Sequence, residues 1–295
     1  MKKIFVYFLF IATATFTACQ KYDDGTQLPY VEEVVSDGGL GELIEETDWQ
    51  PVEIAEGIVW KHFHFASIFD SRQYINILDI DLSKNPTFEI PHTATGDLFT
   101  VSEVSEQAGA DVAINGSYFG ANYGGSTVYF KKNGAVITQT VPNFDSFREN
   151  AAFTISAAGR PGIVKKPVNG WDDVPAPYVL AGGPLLVYDG EEVPQLNHTF
   201  NTTRHPRTVI GVTSDNHFIM VVVDGRNTQS QGLTTAQLAE LMLSLGCTAA
   251  VNMDGGGSST AWTKSQGVVN HPTDNGIFDH NGQREVATAI LVKAP

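Results

Sequence analysis

Four apolar runs in this chain each end in a polar turn that carries glycine, and that recurrence constrains the fold more than any other feature. Asp111-Val112-Ala113-Ile114 runs into Asn115-Gly116-Ser117, and Tyr178-Val179-Leu180 runs into Ala181-Gly182-Gly183-Pro184. The stretch from Phe218 to Val223 runs into Asp224-Gly225-Arg226. Ala249-Ala250-Val251 runs into Asn252-Met253-Asp254-Gly255-Gly256-Gly257. Short, continuously apolar runs bounded by turn signals read as buried strands. Glycine turns can be plain punctuation, yet three of these four carry an amide or a carboxylate. The pattern predicts strand ends that converge on one site.

The remaining periodicity fills in a strand-rich chain. Residues 58–65 alternate in part, and residues 74–82 alternate more clearly, with Ile75 and Ile77 inward and Leu78, Ile80 and Leu82 as further core candidates. Two helices carry their own start and stop signals. Thr100 caps the first, Glu103 completes a capping box and Gly109 stops it. Thr234 caps the second, Gln237 sits three later, Leu238, Leu241, Met242 and Leu245 form one stripe, and Gly246 follows. A strand–helix–strand unit over Val209 to Val251 then predicts a mixed sheet. The fold class expected is α+β: a β-rich single domain with a central mixed sheet and a few helices packed on it.

The first residues are a leader and not part of the fold. Lys2 and Lys3 precede a mostly apolar run from Ile4 to Phe16, and Thr17-Ala18 lead into Cys19. The run falls short of the ~20 apolar residues a bilayer span needs. This is a secretory signal of the bacterial lipoprotein kind over residues 1–18. A plain signal peptide cleaved near Ala18 is the other reading. Acyl chains on Cys19 would hold the chain to a membrane of the bacterial cell envelope. Gln20 to Gln50 carries nine acidic residues and one lysine, so residues 19–50 read as a solvated tether and residues 51–295 as the folded domain. With Cys19 acylated, Cys247 has no disulfide partner and reads as a small buried thiol. A net charge of −15 argues against a general nucleic-acid binder. No protein partner can be inferred.

Among residues able to carry chemistry, the run from Asn252 to Thr260 is the sharpest local signal. Its three glycines permit positive φ and remove side-chain bulk, so successive N–H groups of Gly255, Gly256 and Gly257 can form an anion nest, with Asp254 at the lip. A flexible turn is the bland alternative. The Walker spacing is absent, which disfavours nucleotide binding. Ser258 and Ser259 read as hydrogen-bond donors, since no nucleophile elbow surrounds them. Asp224 stands at the end of a buried strand, with Arg226 beside it in a turn. Arg207, next to the strand that starts at Val209, is better placed than Arg204 to hold a phosphate rigidly. His62 and His64 share a strand face, but no other histidine offers a matching metal spacing. Most of the histidines therefore read as surface or strand residues. No metal or cofactor motif is visible.

The order of these motifs resembles the phosphodiester glycosidase family. It is carried by Asn115-Gly116-Ser117-Tyr118-Phe119, Gly182-Gly183-Pro184, Pro206-Arg207-Thr208, Asp224-Gly225-Arg226, Ser230-Gln231-Gly232-Leu233-Thr234, Leu238-Ala239-Glu240-Leu241, Asn252 through Ser259, and Arg284-x-Val286. The resemblance implies removal of N-acetylglucosamine from a phosphodiester, leaving a phosphomonoester on the acceptor. It implies a site of Asn115, Arg207, Asp224, Arg226, Asn252, Asp254 and the Gly255–Gly257 turn, with Ser258 behind it. Asp224 and Asp254 are both candidates for nucleophile or base. The rival expectation is a non-catalytic glycan-binding surface lipoprotein that helps assemble polysaccharide. Such binders display exposed aromatics, and Trp60, Trp171 and Trp262 are its candidates. A second rival is a phosphodiesterase that cuts P–O instead of C–O.

Overall fold

The computed structural model describes residues 39–93, 97–120 and 125–295. The leader expected over residues 1–18, the lipidation expected at Cys19 and the acidic stretch up to residue 38 lie outside them. Residues 40–50, expected in the tether, are folded. Leu40–Glu46 is a helix with Ile44 buried, and Trp49 donates from Nε1 to the Ile44 carbonyl at 3.0 Å. The Trp49 ring meets Phe63 and Phe65 edge-on. Apolar Leu40, Leu43, Ile44 and Trp49 outweigh the acidic composition there, because they have a core to pack on.

Among the described residues, three larger sheets, one two-stranded pair and four α-helices make up the β-rich fold. The largest sheet runs in the order Gln50–Ala55, Ile58–Ile68, Ser71–Asp81, His217–Val223, Arg207–Thr213, Cys247–Asn252, Leu185–Tyr188, Glu191–Glu192. Every neighbouring pair in it is antiparallel, which corrects the expected mixed sheet. The strand–helix–strand unit does form, with helix Thr235–Ser244 linking His217–Val223 to Cys247–Asn252. Arg207–Thr213 lies between those two strands, so Ile210 pairs with Met220 on one side and Val251 on the other. The two parallel strands are never hydrogen-bonded neighbours. A five-stranded sheet holds Ala151–Ile155 and Tyr178–Gly182, and another holds Val112–Asn115, Ala261–Thr263 and Ala289–Lys293. A short pair, Phe119–Gly120 with Gly125–Ser126, completes the set among the described residues.

Both faces of the large sheet are covered, which explains its continuous apolar runs. Along His217–Val223, Phe218, Met220 and Val222 enter one core with Leu78, Ile80, Ile114, Phe153 and Ile290. Ile219, Val221 and Val223 enter another, beneath Leu238, Leu241 and Met242 of the helix and beside Ile75 and Ile77. Alternation thus sorts side chains between two cores instead of between core and water. Both capping boxes form as read, Thr100 with Glu103 and Thr234 with Gln237. Cys247 is buried, and burial pushes its thiol up to about 12. A Cβ on Gly211 would stand 2.5 Å from Cys247 Sγ, so glycine there is a packing requirement.

Candidate active site

The glycine-bearing strand ends meet. Asn115 Oδ1 accepts from Thr208 Oγ1 at 2.8 Å and from the Thr260 N–H at 3.1 Å, and its Nδ2 donates to the Asp254 carbonyl at 2.8 Å. Asn252 Nδ2 donates to Tyr118 Oη at 2.9 Å and to the Gly183 carbonyl at 3.0 Å. The Gly183 N–H donates back to the Asn252 carbonyl, the Asp254 N–H to Gly116, and the Met253 N–H to Thr208. Three turns thus lock together at the end of Cys247–Asn252. Asn115 has both ends of its amide engaged within the protein, so it frames the site and has little left for a substrate. Asn252 keeps a buried Oδ1 without a partner, as do the hydroxyls of Ser259 and Thr260.

The Gly255–Gly257 turn differs from the open nest that was expected. The Gly255 N–H donates to Asp254 Oδ1 at 2.9 Å and the Gly256 N–H to the Pro206 carbonyl at 2.9 Å. The N–H groups of Ser258 and Ser259 close the 3-10 turn on Gly255 and Gly256. What the glycines provide is room for guanidinium groups. A Cβ on Gly256 would lie 2.9 Å from Arg226 Nη2, and one on Gly257 would lie 2.5 Å from Arg284 Nη2. Gly256 also sits at φ +64°, a left-handed value that favours glycine. Arg284 is tied to Asp274 through Nε at 2.9 Å and through Nη2.

The two candidate carboxylates have opposite surroundings. Asp224 is 1 % exposed. It accepts from Asn270 Nδ2 and from the His271 N–H, each at 3.0 Å, and its Oδ2 lies 2.7 Å from His271 Nδ1. Engagement by three groups of two adjacent residues anchors a loop. Asp254 is partly exposed. Burial nevertheless raises its carboxyl above the ordinary carboxylate range, against the opposite pull of Ser258, the Gly255 N–H, Arg148 and Arg284. The Ser258 hydroxyl is itself buried and approaches this carboxyl without a well-formed hydrogen bond.

Arg207 stands apart from the role assigned to it. It is 1 % exposed, with Nε on the Leu233 carbonyl at 2.9 Å and Nη2 on the carbonyls of Phe200 and Thr203. Its guanidinium carbon lies 4.9 Å from the Phe200 ring centre, and burial lowers its pKa to about 10. Those bonds brace the loop before the strand. Arg226 is exposed and lies on Gly256.

Two residues escaped the sequence reading. Arg148, on the 3-10 turn Ser146–Glu149, holds its guanidinium carbon 4.2 Å from the Tyr118 ring centre, 4.8 Å from Phe200 and 5.0 Å from Phe144. Its buried Nε has no partner, and its charge lowers the Asp254 pKa. Glu149 fastens that turn by accepting from Lys166 Nζ, from Trp171 Nε1 at 3.1 Å and from Thr140 Oγ1 at 2.5 Å. His271 is 4 % exposed, stacked on Phe278 at 4.0 Å, with the edge of Tyr74 at 4.9 Å. Nothing in the sequence distinguishes it from a surface histidine, because its partner Asp224 is 47 positions away. His62 and His64 meet Tyr74 Oη and the Gln229 carbonyl respectively.

The family model described as phosphodiester glycosidase (NAGPA) matches residues 108–293. A solved relative of similar fold is the zebrafish N-acetylglucosamine-1-phosphodiester alpha-N-acetylglucosaminidase catalytic domain, auto-inhibited by pro-peptide. It has a TM-score of 0.64 and 19 % identity over 84 % of this chain and 88 % of that one. A hypothetical protein from Synechocystis gives 0.63 and 15 % identity over 85 % of this chain and 64 % of its own. The SPbeta prophage-derived protein YomE of Bacillus subtilis is 40 % identical over 92 residues, which is 31 % of this chain and 13 % of that protein. The matched stretch contains all the converging turns, and the chain belongs to the phosphodiester glycosidase family.

Proposed function

We propose that this protein hydrolyses a sugar-1-phosphodiester of the N-acetylglucosamine-1-phosphate type to free sugar and a phosphomonoester. The observation that carries the reading is the partly exposed residue Asp254 under the charge of two guanidinium groups, Arg148 and Arg284, with Arg226 lying on Gly256 of the turn that follows it. The arginines hold the phosphate and receive the charge that develops on it as the C–O bond breaks. A phosphomonoester already bears charge and needs little protonation to leave. Asp254 attacks the anomeric carbon or activates the water that does, and water's oxygen ends on the sugar. Asp224 and His271 hold the 270–274 segment against the glycine turn. The zebrafish protein's name points to the sugar, and family membership supports the bond cleaved.

The glycan-binding alternative rested on exposed aromatics, and Trp60, Trp171 and Trp262 are all buried. We place the substrate among envelope or environmental glycans, with the enzyme tethered through lipid on Cys19. No helix among the described residues is long and apolar enough to cross a membrane. The test is incubation with an N-acetylglucosamine-1-phosphodiester and measurement of free sugar. Wild type should release it, and Asp254→Ala should lower turnover at least about a hundredfold. Binding without release would favour the non-catalytic reading.

A further inference from the structure

One phenylalanine ring at the site carries two guanidinium groups. The guanidinium carbon of Arg148 lies 4.8 Å from the centre of the Phe200 ring, and that of Arg207 lies 4.9 Å from it. A ring face attracts a cation through its quadrupole, and more strongly where water is kept out. The two arginines otherwise differ. Arg207 is buried, and three backbone carbonyls take up its N–H groups. Arg148 is partly exposed, and its ion pair among the described residues is a long one, from Nη1 to Asp145 Oδ2 at 3.6 Å. Burial lowers the Arg207 pKa, and the charges of Arg226 and Arg148 lower it further, so like charges gather here. An anion at Arg148 relieves that repulsion.

Phe200 is itself firmly mounted on the helix Thr199–Thr202. Its N–H donates to His198 Nδ1 at 3.1 Å, and its carbonyl accepts from Arg207 Nη2 at 2.7 Å. The ring meets Tyr118 edge-on at 6.2 Å and Phe147 at 6.0 Å. Arg207 therefore fixes the backbone of Phe200 and also lies over its ring. A long arginine side chain gives up rotamer freedom when an anion fixes it. A ring that fixes it beforehand removes that cost from binding. Without the ring, Asp145 competes for a guanidinium that is free to turn toward it.

We propose that Phe200 is a positioning residue whose ring, mounted by Arg207, holds the Arg148 guanidinium ready for the phosphate of the substrate; this rests on the function proposed above. Arg207 then acts on the phosphate through Phe200 without touching it.

The test reads phosphate binding and turnover separately. Wild type, Phe200→Leu and Phe200→Tyr are titrated with inorganic phosphate while the Nε–H signal of Arg148 is followed by NMR, assigned by its loss in Arg148→Ala. Urea midpoints show that the variants fold. Phe200→Leu keeps apolar bulk and the carbonyl that Arg207 uses, and removes the ring. It should weaken phosphate binding about tenfold. Phe200→Met, a second variant without a ring, should do the same, and Phe200→Tyr should restore wild-type affinity. Kinetics on an N-acetylglucosamine-1-phosphodiester complete a cycle with Arg148→Ala. Phe200→Leu should lower kcat/KM about tenfold in wild type and have no further effect in Arg148→Ala. Wild-type phosphate affinity in both ringless variants overturns the proposal. So does an equal loss of kcat/KM in the two backgrounds, because a ring that only supports the fold acts whether or not Arg148 is present. Ring-dependent phosphate binding without turnover of the diester by wild type upholds the positioning of Arg148 and overturns the hydrolase reading. Failure of wild type to bind phosphate overturns both.

Discussion

Replacing Asp224 removes a carboxylate that is 1 % exposed and bonded to Asn270 Nδ2, to the His271 N–H and to His271 Nδ1. In Asp224→Ala, those donors are left buried without an acceptor. Leaving a buried donor without an acceptor costs about 1–3 kcal/mol, so losing all three contacts removes a large share of the stability of a typical domain. Asp224→Asn keeps one oxygen for the backbone N–H but turns an N–H toward His271 Nδ1. That contact survives only if His271 adopts the tautomer with its proton on Nε2. The expected loss is smaller, about 1–2 kcal/mol. The assay is urea unfolding of both variants with fitted midpoints and slopes, followed by turnover measurements on folded Asp224→Asn. As an anchor, Asp224 predicts a clear drop in midpoint and a loss of turnover of about tenfold or less, transmitted through the 270–274 segment to the Arg284–Asp274 pair. Wild-type stability in Asp224→Asn, with a turnover loss equal to that of Asp254→Asn, would refute the anchoring role and make Asp224 a reacting group.

Arg148→Ala should cost about a hundredfold in kcat/KM toward a phosphodiester, and Arg148→Lys should recover only part of it, because an ammonium keeps the charge but not the planar stack on Tyr118. Steady-state kinetics on both variants decides it, and full recovery by lysine counts against the planar role. Burial raises the Asp254 pKa, so the folded protein takes up this proton more readily than the unfolded chain does. The stability tied to that proton is present at low pH and is lost as pH rises through the raised pKa. Asp254→Asn should therefore unfold later than wild type at neutral pH, by about 1 kcal/mol, while losing turnover. Wild-type kcat should fall on an acid limb lying above the ordinary carboxylate range. Gly256→Ala should strain a left-handed residue and push Arg226 off the turn, raising KM more than it lowers kcat.

Local signals in this sequence were legible because their physics is local. Thr234 and Gln237, and Thr100 and Glu103, satisfy orphan N–H groups within one turn, and the helices start where those residues stand. The glycine-bearing strand ends were also legible as a convergent set, since buried strands ending in amides and carboxylates need partners there. Strand neighbours were not. Nothing within the strand–helix–strand unit shows that Arg207–Thr213 inserts between the two strands it joins. Glycine-rich residues 255–257 announced close approach but not by what, and arginine side chains from distant turns take the place expected of an anion. Arg148 gave no signal because its turn carries no glycine, and its aromatic neighbours Tyr118 and Phe200 come from far along the chain. Arg207 read as a phosphate holder because the adjoining strand would fix it and a guanidinium suits phosphate. Its burial depends on three carbonyls, those of Phe200 and Thr203 in the turn just before it and that of Leu233 from further along the chain.

The central claim is that the carbon–oxygen bond of a sugar phosphodiester breaks beside Asp254 while the guanidinium groups retain the phosphate. Hydrolysis in heavy-oxygen water, with mass spectrometry of both products, tests it most directly. The account predicts label in the released sugar and none in the phosphomonoester. Label in the phosphate instead would mean that the P–O bond is cut and would contradict it.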